Sequence, residues 1–170
     1  MRLDHPFYHR DVLEIAPEIL GKRLVRLLPD GGRIELPVSE VEIYRGIDDK
    51  ACHASKGMTE RNKVMFGPGG RIYMYLIYGM HWMFNIVTGP ENSPDALLIR
   101  GVGGVTGPGR VTKHLQMGRD FYGEDLTVSS RIWLEDAPPV ADYITGPRVG
   151  IDYAGEPWVS MPWRYRIDSS

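Results

Sequence analysis

In this 170-residue chain, the side chains that could do chemistry together come from two alternating stretches and a few single positions. Glu42 and Tyr44 lie two apart in an apolar run, with Glu40 just before them. Tyr73, Tyr75 and Tyr78 lie in a second run, Ile72 to Asn85, and His53 stands in the polar stretch between the two. A carboxylate among aromatic rings can accept a proton from water and stabilise a cation that forms beside it. Stacked rings can hold a flat, electron-poor ligand. Other chemistries read poorly. The five histidines are scattered, and His5 and His9, four apart, have Pro6 between them. No His-Glu-x-x-His and no cysteine cluster suggests a metal, so none is expected. A serine nucleophile elbow and a phosphate loop ending in Gly-Lys-Ser/Thr are also missing. Cys52 adjoins His53 in sequence. Sequence neighbours seldom face each other in an extended chain, so Cys52 reads as a core filler.

The elements that must place these groups are short. Twenty glycines and thirteen prolines predict many turns rather than long helices. Ile72 to Asn85 reads as a strand, a sharp turn at Gly79 and a second strand. Side chains alternate across a strand, which puts Ile72, Met74 and Leu76 on one face and Tyr73 and Tyr75 on the other. Tyr78, Met80 and His81 fall at or beside the tip. Arg33 to Tyr44 reads as the hairpin partner of Lys22 to Leu28 across Pro29-Asp30-Gly31-Gly32. Strict alternation there groups Val38, Glu40, Glu42 and Tyr44. If that face is solvated the pattern is trivial; if it lines a cavity, a carboxylate lies beside an aromatic plane. Val12 to Leu20 reads as a short helix capped by Asp11 and limited by Pro17. Gly46 to Gly70 is polar and aperiodic, and irregular stretches of that length in a compact domain are often functional. Ala96 to Arg100 reads as a strand, Gly101 to Gly109 as a flexible connection, and Arg110 to Met117 as a short helix. Arg131 to Leu134, Arg148 to Ile151 and Trp163 to Ile167 read as further strands. The expected architecture is one α+β domain over residues 1–170. It has a curved, mainly antiparallel, open-barrel-like sheet, short surrounding helices and a protruding β-hairpin.

Composition bounds the partners. Hydrophobic content of 42% and charged content of 25% suit a soluble protein with a real core. A lone cysteine calls for no oxidising compartment, and no stretch approaches a membrane span, so a cytoplasmic protein is expected. The net charge of −2 argues weakly against nucleic acid, but the charges are unevenly distributed. Between Arg100 and Arg119 stand Arg110 and Lys113 and no acid; between His53 and His81 stand Lys56, Arg61, Lys63 and Arg71 against Glu60 alone. A basic face with an acidic back fits phosphate contact. Arg110 and Lys113 are phosphate candidates by charge and position.

Read in order, one set of motifs resembles a known family. They are Glu42-Ile-Tyr44, Asp49-Lys-Ala-Cys-His53, Thr59-Glu-Arg-Asn62, Met65-Phe-Gly67, Tyr73-Met-Tyr75-Leu-Ile-Tyr78-Gly-Met-His81, Asn85, Leu97-Leu-Ile-Arg100, Gly107-Pro-Gly109 and Arg148-Val-Gly-Ile151. Together they look like an alkyladenine, or methylpurine, DNA glycosylase, over most of the chain from Leu20 to Tyr165. The resemblance implies a cofactor-free, monofunctional enzyme, expected to be a monomer, whose partner is double-stranded DNA carrying damaged purines. It implies Glu42 as the general base, with Arg100 and the Val149 main-chain carbonyl holding the attacking water. It implies Tyr44, His53 and Tyr75 around a flipped base, Asn85 restricting entry of guanine, and Tyr78 filling the gap in the duplex. Met80 and Arg61 join Tyr78 on the DNA side. The family has a longer segment where this chain has only Gly101 to Thr106, so part of the DNA-facing surface is shortened. A binding module without turnover and a small-nucleoside hydrolase remain as alternatives. Intact Glu42 and Arg100 argue against the first, and the basic segments and Tyr78 argue against the second.

Overall fold

The fold is laid out along β2 (Arg33–Arg45). At about 3.3 Å per residue, thirteen residues reach roughly 40 Å, enough for two neighbours on one edge. In the computed structural model, which describes residues 1–168, β1 (Arg23–Leu27) pairs with the first part of β2 and β9 (Arg164–Ile167) with Glu40 to Glu42. The other edge of β2 carries β5 (Asp95–Val102), followed by β4 (His81–Thr88) and β3 (Ile72–Ile77). β7 (Ile132–Glu135) extends the sheet beyond β1, β6 (Val105–Thr106) folds back on β5, and β8 (Tyr143–Gly146) borders β9. Every pairing is antiparallel. Three short helices, α1 (His5–Tyr8), α2 (Val12–Ile19) and α3 (Pro108–His114), complete an α+β architecture.

Alternation gives the sheet two unlike faces. One row across four strands, Ile72, Ile86, Leu97 and Ile43, is fully buried and belongs to the core. The core takes Val12, Ile15, Ala16 and Ile19 from α2 and Val111 from α3. Asp11 caps α2, its carboxylate accepting from the Leu13 N–H at 2.9 Å. The adjacent row carries Tyr73, Asn85, Leu98 and Glu42 on the opposite face. The irregular stretch after β2 straps across that face, with Cys52, Ala54 and Met65 packed on Tyr73, Val87 and Ala96. The same periodicity that builds the core therefore aims the polar and aromatic side chains the other way.

Several expectations change. Val38 does not share a face with Glu42; it is buried in the core with Val41 and Ile43. The pairing of β2 with β5 is irregular on both sides of Glu40, from Val38↔Val102 to Glu40↔Gly101 to Val41↔Ile99. Ser39 and Arg100 are the extra residues, and a bulge of this kind reverses the in–out alternation. Gly101 to Gly109 is not a loose connection: its first part is the β5–β6 hairpin, turning at Gly103 and Gly104. α3 starts two residues earlier than expected, at Pro108, whose missing N–H is harmless in a first turn. Arg148 to Ile151 is not a strand, and β8 was not foreseen. The tight meeting of β2 and β5 at the bulge needs glycine at 101: a Cβ there would sit 2.6 Å from Ser39 Oγ and 3.2 Å from Glu40 Cβ. Gly101→Leu is expected to lower stability by about 1–3 kcal/mol in urea unfolding, as overpacking does.

Candidate active site

Glu42 sits at the centre of the inward polar face, with its side chain fully buried. Burial raises its pKa above the ordinary carboxylate value, while the Arg100 guanidinium, the Val149 N–H and the Tyr44 hydroxyl pull the other way. Tyr44 donates to Glu42 Oε1 at 2.9 Å, and the Val149 amide donates to Oε2 at 2.7 Å. Arg100 Nη1 stands 3.7 Å from Oε1 and its Nε 3.6 Å from Glu40 Oε2. The bulge between β2 and β5 is what brings Arg100 over these carboxylates. This oxygen pair is desolvated and held still, yet keeps affinity for a proton, as a general base requires.

Above the carboxylate lies a cleft of about 560 Å³, lined by Glu42, Tyr44, His53, Tyr73, Tyr75, Asn85 and Arg100. That volume falls in the range of ordinary small-ligand sites. Tyr73 and Tyr75 pack with ring centroids 5.3 Å apart and planes tilted by 37°, and His53 packs at 4.4 Å from the Tyr75 centroid. The His53 ring shares a 2.8 Å hydrogen bond between Nδ1 and the Tyr73 hydroxyl. Desolvation, then the Arg61 charge, lower the His53 pKa and so favour the neutral imidazole. Asn62 locks the loop that carries His53, donating from Nδ2 to the carbonyls of His53 and Gly57. Asn85 is buried, its Nδ2 donating to the Tyr73 carbonyl at 3.2 Å, and its side chain stands in the cleft floor.

The hairpin tip projects from one end of this floor. Tyr78 and Gly79 both have positive φ, 53° and 66°, and Tyr78 is 89% exposed. Positive φ is unfavourable for an aromatic residue, but a tight hairpin turn demands it at both central positions, and this turn is closed by the Met80 N–H donating to the Ile77 carbonyl at 3.0 Å.

Comparison with known proteins agrees with the geometry. The sequence profile of the family described as Methylpurine-DNA glycosylase matches residues 6–106 and 104–170. This chain belongs to that family. A protein of Methanocella arvoryzae named "Putative 3-methyladenine DNA glycosylase" is 42% identical over 96% of this chain and 90% of its own length. Proteins of the same name from Anaeromyxobacter dehalogenans and from the Wolbachia of Brugia malayi are 44% and 40% identical. They cover 100% and 97% of this chain, and 85% and 96% of their own lengths.

The structure gathers Glu42, Tyr44, His53, Tyr75, Asn85, Arg100 and Val149 around one cleft. Arg61 is also there: its guanidinium lies 5.7 Å from the Tyr75 centroid and donates to the Leu76 carbonyl. Met80 is exposed beside Tyr78. Arg110 and Lys113 are exposed on α3 and do not line the cleft. Val149 touches Glu42 through its amide, a contact that sequence reading did not anticipate. Cys52 is buried with its thiol pushed up to about 12, in keeping with a filler role. Among the described residues no group of three His, Cys, Asp or Glu side chains could hold a metal, and no helix is long and apolar enough to cross a membrane.

Two contributors escaped sequence reading. Tyr153 lines the mouth of the cleft, its hydroxyl donating to the Ala51 carbonyl at 3.1 Å. It lies in a single 3₁₀ turn, Asp152–Ala154, too short to leave a periodic signal. The other is the buried ion pair of Arg148 with Asp49, at 2.6 and 3.0 Å. Arg148 also donates to the Ile43 carbonyl, and its guanidinium lies between the rings of Tyr44 and Trp163. Asp49 accepts from the N–H groups of Arg45 and Ala51 as well. The pair thus ties the segment that presents the Val149 amide to the end of β2. Arg148→Met leaves the Asp49 charge buried and unmatched, so a loss of about 3–5 kcal/mol is expected in urea unfolding.

Proposed function

We propose that this chain is a monofunctional DNA repair glycosylase that removes alkylated or deaminated purines from duplex DNA. The observation that carries the reading is the fully buried Glu42 carboxylate at the floor of a cleft with room for a nucleobase, walled by Tyr44, Tyr75 and His53. A glycosidic bond inside a stacked duplex is out of reach, so the damaged nucleotide must first rotate out, at a cost of a few kcal/mol. Tyr78, exposed at the hairpin tip, would enter the vacated space and recover part of that loss. The extruded purine would stack on Tyr75 and Tyr44, whose ring faces favour a cationic base. A neutral His53 adds no opposing charge and can form a hydrogen bond to the ligand. Asn85 in the floor would meet the edge of the base and disfavour guanine.

In the chemical step the bond between the sugar C1′ and the purine nitrogen breaks, and its electron pair leaves with the base. Positive charge builds on the sugar, and ionised Glu42 stabilises it. Water held by Arg100 and the Val149 carbonyl adds to C1′, and Glu42 takes the water's proton. The products are an abasic site and a free purine, which leaves neutral when the base was an alkylated cation and takes a proton from solvent when it was a neutral deaminated base. No lysine lines this cleft, so no Schiff-base strand cleavage is proposed.

The test uses duplexes carrying single damaged purines, incubated with protein and then treated with alkali to cut abasic sites. Glu42→Gln is expected to keep lesion binding and lose excision by about 10²–10⁴-fold, the range of general-base catalysis. Excision at the wild-type rate would remove Glu42 from the mechanism. Binding without alkali-sensitive sites in the wild type would indicate a binding module, and turnover of free nucleosides alone a nucleoside hydrolase. The raised Glu42 pKa sets the pH dependence. Only the ionised form accepts a proton, so single-turnover rates should fall as pH drops through a value above that of an exposed glutamate. Tyr78→Ala should weaken capture of lesion duplexes while leaving the urea midpoint unchanged.

A further inference from the structure

A second cavity, of about 410 Å³, adjoins the cleft and shares Ala51, His53, Arg61, Tyr73 and Tyr153 with it. Its remaining polar lining is cationic or neutral: Lys50 and Lys56 with Ser55, Thr59 and Asn62, and no carboxylate. Among the described residues neither lysine has an acidic partner, and Arg61 is held only by the Leu76 carbonyl and the Tyr75 ring. The nearby Glu60 is turned to Lys63, which does not line the cavity. Three uncompensated cations around one concavity make a site for an anion. A hydroxyl such as Ser55 or Thr59 can also donate to phosphate oxygen.

We propose that this cavity seats a backbone phosphate of the lesion strand next to the extruded nucleotide. The inference rests on the glycosylase reading. Arg61 stands on the boundary of both cavities. A nucleotide whose base fills the first has a direct route for its sugar–phosphate chain past Arg61, and the second cavity is the cationic space on that route. The site takes a phosphodiester, with Lys50 and Lys56 as its charge and Arg61 as its link to the base pocket. It also offers a compensation for the short segment at Gly101 to Thr106, since phosphate contact is moved to the strap over the cleft face.

The experiment combines K50Q/K56Q with duplexes holding one tetrahydrofuran abasic-site analogue, with or without a single neutral methylphosphonate beside it. For the wild type, dissociation constants across a salt series should show a log–log slope that the double variant reduces by about 0.9, the value for one phosphate. One flanking methylphosphonate should weaken wild-type binding and have no further effect on K50Q/K56Q. An unchanged slope, or the same methylphosphonate effect in both proteins, would overturn the proposal. If inorganic phosphate raises the melting temperature of the wild type but not of the variant, and the methylphosphonate has no effect, the cavity binds a free anion and the assignment to DNA fails. If the wild type shows no preference for the abasic duplex over an undamaged one, the glycosylase reading itself fails, and this outcome is distinct from loss of the lysine effect alone.

Discussion

Taking the Glu42 carboxylate out of water is the constraint around which the site is arranged. An ionised carboxylate in a protein interior is unfavourable by several kcal/mol unless donors replace the lost hydration. Here the donors come from separate parts of the chain: Tyr44 two residues along the same strand, the Val149 amide from the 147–151 segment, and Arg100 from the β5 bulge. Their sum leaves the pKa raised rather than lowered, so solvation is incomplete. A carboxylate fully satisfied by hydrogen bonds would be a poor proton acceptor; one left somewhat short keeps its basicity.

Each donor needs its own support, and that support reaches deep into the fold. The Val149 amide is placed by Arg148, whose guanidinium is buried against Asp49, the Ile43 carbonyl and two aromatic rings. Arg100 is placed by a bulge that in turn requires glycine at 101. The strap over the cleft is fastened by Cys52, Ala54 and Met65 on the sheet and by Asn62 within its own loop, and the His53–Tyr73 hydrogen bond then fixes a ring that lines the cleft. Rigid elements thus hold the cleft, while the Tyr78 hairpin tip beside it is left exposed.

The legible part of the site follows from the period of a strand. Tyr73 and Tyr75 had to share a face, and Glu42 and Tyr44 likewise, because side chains two apart in a strand point the same way. The hairpin at Gly79 and the Asp11 cap follow from local backbone chemistry and appear where expected. Alternation failed at Val38, because a bulge depends on two strands far apart in sequence meeting out of step. The extended reading of Arg148 to Ile151 failed for a related reason: Arg148 is drawn inward by an ion pair with a residue 99 positions away.

The chain by itself determined which side chains could do chemistry, the faces on which the tyrosines and Glu42 lie, and the family motifs that connect them. These are local properties of residue type and strand period, and they need no knowledge of what packs above or below. Tertiary structure decided that the two faces meet in one cleft, that Glu42 is dry, that the Val149 amide rather than a strand edge supports it, and that an unpaired cationic cavity opens alongside. Those facts depend on distances between segments separated by up to about a hundred residues, and the closure of such contacts is a cooperative outcome of packing that no single stretch encodes.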